Sequence, residues 1–338
     1  MGHEVRVVSY DDFPIRWAGH LSPSIFSLFL TASLIRKEWR EVDVIDASTG
    51  DGWLPFAALS TRKKRPLCVT RSHGLEHCRK TGRPVRFRAR LYSFGWRLKE
   101  VEWSVRLADL ALLLNTRDLE FSERNFGGDT TYRTVRNGVN SQLLGRPGPS
   151  HSAPAEPLHI VQIGSFLTGK GIAYSVPALA SFLETHPDAR CSLLGTGFAA
   201  PEVLSHFPTN IRSRVAVVPH YDNELLPTLI EGAQVSILAS LSEGQGVVVA
   251  EAMACGLAPV ITNIPGPTEL VRDEHNGLVV APRDSGAISA ALERLNSDRD
   301  LLQELRTQAH RDAQGYDWPS IAAEQIALYE AAIESRSG

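Results

Sequence analysis

The run Ser242-Glu243-Gly244-Gln245-Gly246-Val247-Val248-Val249-Ala250-Glu251-Ala252-Met253-Ala254-Cys255-Gly256 decides the fold. It places two carboxylates eight residues apart, one in a glycine-rich turn and one inside the Ala/Val-rich helix that the turn opens. Glycine carries no Cβ, and the first N–H groups of a helix lack internal partners. Gly244 and Gly246 therefore let backbone amides and a helix N-terminus come close to a diphosphate. Ionised carboxylates only accept hydrogen bonds, so a pair of them suits two sets of hydroxyls, one on a hexose and one on a ribose. The spacing by itself also fits a strand, a tight turn and a buried helix carrying two incidental acids.

The flanks favour the first reading. Val235-Ser236-Ile237-Leu238-Ala239 before the turn and Ala258-Pro259-Val260-Ile261-Thr262 after the helix read as buried strands, which puts the acidic pair at the carboxyl edge of a parallel sheet, where open α/β sheets bind ligands. From Leu241 to Pro282, including Pro265-Gly266-Pro267-Thr268-Glu269-Leu270-Val271 and Asn276-Gly277-Leu278-Val279-Val280, the chain resembles the E-x7-E signature region of the retaining glycosyltransferases of family 4. That resemblance implies that Glu243 holds hydroxyls of the transferred sugar, that Glu251 holds the nucleotide ribose, and that the turn through Gly244, Gln245, Gly246 and Val247 faces the donor. Gln245 stands where the family usually has an aromatic residue.

At 338 residues the chain has room for two domains, each with its own core. The longest apolar candidate for a membrane span, Ser24 to Ile35, is well short of the ~20 residues a bilayer crossing needs, and no charged, apolar and small-residue leader opens the chain. A cytoplasmic protein is expected. Cys68, Cys78, Cys191 and Cys255 show no C-x-x-C pairing, and the 11 histidines show no ligand spacing, so neither a disulfide framework nor a metal is indicated. The net charge of −3 is unevenly distributed: residues 1–150 carry 24 Lys/Arg against 16 Asp/Glu, and residues 151–338 carry 11 against 22. A basic first half suits an anionic acceptor or membrane surface; charge also varies between domains without purpose.

Strand-like runs alternate with helical patterns throughout, the mark of a parallel α/β architecture. The first half offers Val5–Ser9, Val42–Asp46, Pro66–Thr70 and Leu110–Leu114, closed by a turn signal at Arg136–Asn140. The second offers Leu158–Ile163, Cys191–Leu194, Val215–Val218 and the two strands around the acidic pair. Between the halves, the Pro-rich stretch Arg146–Pro157 predicts a boundary, giving domains over 1–150 and 151–315 and a terminal helix over 316–338 that starts near Asp317-Trp318-Pro319. The resemblance implies two Rossmann-like domains facing across a cleft, the GT-B arrangement, with that helix crossing back onto an acceptor-side first domain.

Chains of this family open with a strand, a Gly-rich loop and a helix before a stretch resembling Gly2-His3-Glu4-Val5-Arg6-Val7-Val8, which here begins the sequence. The expectation is an N-terminally shortened enzyme with compromised activity, through a misassigned start or a real deletion. The alternative is that Val5–Ser9 pairs differently and fills the gap.

Gly164-Ser165-Phe166-Leu167-Thr168-Gly169-Lys170-Gly171 nearly matches the P-loop pattern, but Gly171 replaces the hydroxyl residue that would hold magnesium. The resemblance instead makes Lys170 the cation that offsets charge on the leaving diphosphate, with Gly164, Ser165, Gly195 and Gly197 lining the donor site; a solvated surface lysine is the alternative. Thr70-Arg71-Ser72-His73-Gly74-Leu75-Glu76 resembles the family's His-Gly element, which implies that His73 contacts the donor sugar near its reacting carbon; a structural histidine is the alternative. Arg79–Lys99 carries eight basic residues and no acid, interleaved with Phe87, Tyr92, Phe94 and Trp96. It suits a peripheral contact with anionic lipid at the inner face of the membrane or a phosphorylated acceptor, and equally a solvated helix face; nucleic acid is not expected as a partner. Asp298-Arg299-Asp300 matches a metal-binding D-x-D formally and reads as a helix start.

The expected activity is a retaining, metal-independent transfer of a hexose from a nucleoside-diphosphate sugar to a hydroxyl of a glycan, lipid-linked or small-molecule acceptor, with no cofactor beyond that donor. A nucleotide- or glycan-binding protein without turnover, and a GT-B epimerase or phosphorylase, are the alternatives.

Overall fold

The computed structural model describes residues 2–14, 22–34, 42–62, 64–75, 95–149 and 156–337. Of these, the residues up to Val135 and from Glu324 onward form one unit, and Arg136–Ala323 form the other. The chain thus enters the second unit at Arg136, upstream of the Pro-rich stretch that predicts the boundary. The reason is packing: Val139 and Leu143, 1% and 2% exposed, join a core cluster with Ala309, Ala313 and Tyr316.

The first unit is built on a four-stranded parallel sheet of β1 (Val44–Ser48), β2 (Leu67–Arg71), β3 (Leu110–Leu113) and β4 (Thr131–Thr134), in that order. The middle strands are apolar runs buried on both faces, as parallel strands under helices must be. β4 was not predicted: Thr131-Tyr132-Arg133-Thr134 buries only Tyr132, so its apolar signal is a single residue on an edge. Val5–Ser9, in contrast, is not a strand. Val5 and Val7 are 79% and 82% exposed, Val8 packs on the cluster of Phe26, Leu30 and Leu34, and Ser9 caps the short turn Tyr10–Asp12. The apolar alternation is present, but among the described residues the segment pairs with no sheet, so neither the strand expected there nor the alternative that it pairs differently and fills the gap holds.

Helix Trp318–Ser337 begins in the second unit and ends in the first. Within the first unit its Tyr329 hydroxyl donates to Asp46 at 2.7 Å, beside the Arg71–Asp46 ion pair. Of the basic segment only Gly95 to Lys99 falls within the described residues; there Trp96 donates to Glu100 at 2.8 Å and Lys99 pairs with Glu102 at 2.7 Å. Among the described residues no helix is long and apolar enough to cross a membrane. Cys68, Cys191 and Cys255 are free, and burial pushes their thiols up to about 11, about 12 and about 11. Cys78 lies outside the described residues.

The second unit carries β5 (His159–Ile163), β6 (Arg190–Leu194), β7 (Val215–Val218), β8 (Val235–Leu238), β9 (Ala258–Thr262) and β10 (Leu278–Val280) in a parallel sheet of order β10-β9-β8-β5-β6-β7. Its first strand lies between its second and fourth, the doubly wound Rossmann order, with the topological switch point between β5 and β8. Side chains alternate between two cores: Ile160, Leu193 and Val260 face the cluster around Leu179, Phe182 and Leu292, while Val161, Leu194 and Ile261 face the cluster around Met253 and Leu257. Each fully buried side chain of this size contributes roughly 1.5–3 kcal/mol, so the sheet is fixed from both sides.

One buried polar group opposes this core. His159 is 6% exposed; its Nε2 bonds the Ser192 hydroxyl at 2.8 Å while Nδ1 has no partner. Burial, with the nearby Arg190 charge, depresses its pKa from 6.5 to about 4. The unfolded chain therefore binds this proton more tightly than the folded one, and stability falls as pH drops from 6.5 and levels off near 4. Between pH 7 and 5, denaturant midpoints should register a loss on the order of 1–2 kcal/mol in the parent that is absent in His159→Gln. Equal losses in both proteins would remove His159 as its source.

Candidate active site

At the carboxyl edge of the second sheet three loops are stitched together. The loop after β5 (Gly164–Gly171) meets the loop after β6 through Phe166 N–H to Thr196 C=O at 2.8 Å, and the loop after β8 through Leu241 N–H to Gly169 C=O at 2.9 Å. The second contact spans the switch point. It depends on Gly171, whose φ of +71° starts helix Ile172–Thr185: a Cβ there would lie 1.8 Å from the Ala239 carbonyl oxygen. No hydroxyl residue could occupy that position, which is why the near match to the P-loop ends there.

This approach brings two predicted residues into contact. Lys170 Nζ donates to Glu243 Oε1 at 2.6 Å, with the side chains 31% and 11% exposed. The Lys170 stem runs past Gly164, whose φ of +131° lets the loop turn beneath it. Glu243 is also held from behind: the Ser240 hydroxyl, fully buried, donates to the same oxygen at 2.6 Å, and Thr262 Oγ1 donates to the Ser240 carbonyl at 2.6 Å. Among the described residues no protein donor reaches Oε2. Ser240 and Thr262 were not anticipated; the only sequence signal is a serine three residues before the acid.

The glycine turn is shaped by close contacts. Gly246 adopts φ +80° and caps helix Val247–Ala254, so its first amides open toward the turn. A Cβ on Gly266, across from it, would fall 2.4 Å from the Gly244 carbonyl oxygen, so the β9 loop lies directly on the turn. Glu251 lies one turn into the helix, 7% exposed, and burial raises its carboxyl pKa. Tyr221 is close enough to feel its charge; burial and then Glu251 raise the phenol, and its ring would sit 3.2 Å from a Cβ on Gly195. Gly195 and Gly197, at φ +71° and +72°, form the β6 loop by donating to Val218 and Pro219 carbonyls.

Gln245 differs from expectation. It is 3% exposed, and its amide is engaged by the backbone of Asn137: Asn137 N–H donates to Oε1 at 2.6 Å and Nε2 donates to the Asn137 carbonyl at 3.3 Å. Its side chain thus serves the protein, while its backbone belongs to the turn. Ser165 contributes its carbonyl to the loop, accepting from Leu167 N–H at 2.8 Å.

His73 belongs to the first unit, just past β2. Ser72 N–H bonds the Leu112 carbonyl, Gly74 turns at φ +116° and bonds Ser72 Oγ, and Leu75 N–H is held by the buried Asp118. The imidazole projects from this fixed turn, and desolvation, then the Arg71 charge, lowers its pKa while Asp46 opposes them. Among the described residues no group of three or more His, Cys, Asp or Glu could hold a metal ion, and Asp298 of the D-x-D caps helix Arg299–Ala313 by accepting from Leu301 N–H at 2.9 Å.

Residues 149–312, which hold this edge, match the family described as glycosyl transferases group 1. The second unit belongs to that family. The chain is 28% identical over 177 residues to an uncharacterized glycosyltransferase of Methanocaldococcus jannaschii, covering 52% of this chain and 45% of that protein. It is also similar to a D-inositol 3-phosphate glycosyltransferase of Acidothermus cellulolyticus, 30% identical over 220 residues, covering 60% of this chain and 49% of that one. The chain spans about half the length of the curated relatives it matches. Among solved structures, sucrose-phosphate synthase of Thermosynechococcus elongatus superposes with a TM-score of 0.74 at 20% identity, over 95% of this chain and 80% of that one. Anabaena HepE in complex with UDP-glucose gives 0.68 at 18%, over 90% and 82%. These likenesses show the fold, GT-B.

The raised pKa of Glu251 carries a stability consequence. Its folded pKa exceeds the unfolded one, so the carboxylate destabilises the fold at neutral pH and the penalty disappears in acid, where both states are protonated. Glu251→Gln should be more stable than the parent at pH 7, by on the order of 0.5–1 kcal/mol, with the difference closing toward pH 4 in denaturant titrations. A less stable variant at pH 7 would show that the carboxylate is satisfied by the fold.

Proposed function

We propose that this chain is a retaining glycosyltransferase that moves a hexose from a nucleoside-diphosphate sugar to a hydroxyl acceptor without a metal. The observation that carries this is the Lys170–Glu243 contact across the switch point, beside a glycine turn that opens a helix N-terminus. An ammonium and several backbone amides converge where a diphosphate would lie, and a carboxylate with one unengaged oxygen adjoins them, where sugar hydroxyls would be held. Anabaena HepE, which shares the fold, binds UDP-glucose, a donor of this class.

The roles follow from chemistry. As the bond from the anomeric carbon to the phosphate oxygen breaks, negative charge grows on the diphosphate; Lys170 and the amides at Gly246–Val247 stabilise it without reorganising. Before the donor arrives, Lys170 and Glu243 neutralise each other, and the diphosphate competes for the lysine while donor hydroxyls take its place on Glu243. Glu251 receives the ribose hydroxyls, and its burial near Tyr221 makes an unliganded carboxylate costly and a hydroxyl-bonded one favourable. In a retaining reaction the acceptor attacks on the face the phosphate leaves, so the departing phosphate oxygen takes the acceptor's proton. Acceptors in this reading are hydroxyls of glycans, lipid-linked compounds or small molecules.

A panel of UDP-, GDP- and ADP-hexoses tests it. With the accepted donor, Glu243→Ala should lose transfer by about 10²-fold or more, while its thermal midpoint changes by no more than the ~1 kcal/mol worth of a partly exposed ion pair. Glu251→Gln should weaken donor binding roughly 10–100-fold by calorimetry, the scale of lost hydrogen bonds to a charged group. Undiminished turnover in Glu243→Ala, or binding of the panel without any transfer or hydrolysis, would remove the transferase reading.

A further inference from the structure

The side chain of Gln245 forms a two-bond pair with one residue of backbone, Asn137, as a neighbouring strand would. Asn137 is the second residue after the chain enters the second unit at Arg136. The next two residues bind this entering segment to the segment by which the chain leaves. Gly138 lies so close to Trp318 that a Cβ would meet its ring at 2.6 Å and its Cα at 3.0 Å, and Val139 N–H donates to the Tyr316 carbonyl at 2.7 Å and bridges to Asp317. The Arg136 guanidinium stands 5.6 Å over the Tyr316 ring. Continuous contacts therefore run from the glycine turn through Gln245 to Asn137, and from there to both stretches of chain that connect the units.

We propose that Gln245 is a positioning residue that transmits donor occupancy of the Gly244–Gly246 turn to the connecting segments Arg136–Val139 and Tyr316–Trp318. The turn must respond to a donor, because Glu243 exchanges Lys170 for sugar hydroxyls while the turn amides take up the diphosphate. On the other side the turn is backed by Gly266 and Pro267, against which it has no room to recede: Cβ atoms built on Gly266 and Gly246 would meet Gly244 and Pro267 at 2.4 and 3.0 Å. A buried amide with both ends bonded to Asn137 cannot follow the turn without carrying that peptide with it, since displacement of either by about 1 Å takes a 2.6–3.3 Å pair beyond hydrogen-bonding range. An aromatic side chain at this position would offer no such pair of hydrogen bonds. Gln245 thus makes the linkage a property of this chain.

The inference rests on the donor reading above, and hydrogen exchange resolves the two. In the parent, the accepted nucleotide sugar, taken from UDP-, GDP- and ADP-glucose, should slow amide exchange at least threefold both in 243–248 and in 136–140 with 314–318. In Gln245→Leu, protection of 243–248 should persist while the response of 136–140 and 314–318 disappears. Gln245→Glu, which keeps the acceptor for Asn137 N–H, should restore part of the response; it also serves if the leucine variant does not fold. Turn protection in the parent without any response at 136–140, or an equal response in parent and Gln245→Leu, overturns the linkage alone. No protection at 243–248 by any of the three sugars in the parent overturns the donor reading and the linkage with it.

Discussion

The candidate site depends on one steric constraint: the loop after β5 must lie against the end of β8 with no side chain between them. Gly171 supplies this, since any Cβ would fall inside the Ala239 carbonyl oxygen. Once the two loops touch, the Leu241 N–H to Gly169 C=O bond fixes their register, and Lys170 on one reaches Glu243 on the other. The same doubly wound order that leaves a crevice between β5 and β8 thus brings a cation and an anion, 73 residues apart in the chain, within 2.6 Å. Phosphate-binding loops of the P-loop pattern carry a hydroxyl residue at the equivalent step; the close approach of Ala239 excludes one here.

Much of this edge can be read from the sequence because its determinants are local. Parallel strands buried on both faces are continuous apolar runs, so β5, β6, β8 and β9 stand out, and glycines at forced turns mark the loops between them. Lys170 and Glu243 lie in the loops that follow β5 and β8, which places them at the carboxyl edge whatever their partners. What escapes is either weakly apolar or non-local. β4 offers one buried tyrosine, and Val5–Ser9 has the alternation of a strand without one to pair with. Gln245 bonds Asn137 across 108 residues, and Ser240 carries no pattern that separates a hydroxyl behind a carboxylate from any buried serine. The point where the chain enters the second unit was displaced for a related reason: proline content marks a stiff segment, while Val139 and Leu143, buried among distant residues, decide membership.

In the first unit, backbone strain lies at the carboxyl edge of the sheet. Thr49, just past β1, holds a left-handed φ of +45°, unusual for a β-branched residue, and is tied there by Thr49 N–H to the Arg71 carbonyl at 2.6 Å and by the Thr70 hydroxyl to its own carbonyl at 2.9 Å. Such strain costs roughly 1–3 kcal/mol and persists only where neighbours enforce it. The next strand ends in the turn that projects His73. Strain and a histidine of lowered pKa thus occupy adjacent strand ends, β1 and β2, held in register by the pairs Ala47–Thr70 and Ser48–Arg71.

The two acids of the opening motif are held in opposite ways, and the difference matches what each would have to do. Glu243 has its charge offset by the protein: Lys170 and Ser240 share one of its oxygens, and the ion pair is partly exposed. A group that must exchange partners during a reaction has to remain soluble in both states, and a partly exposed ion pair worth ~1 kcal/mol is easily replaced. Glu251 instead lies inside a helix of alanine, valine and methionine, with burial raising its pKa and, among the described residues, no ion pair to offset the charge. Its desolvation is incurred on folding, so a donor that bonded it would recover free energy the fold has already given up. An exchangeable acid for the part of a donor that reacts and a preorganised one for the part that does not is the division of labour expected if binding free energy from the nucleotide is to act at the sugar.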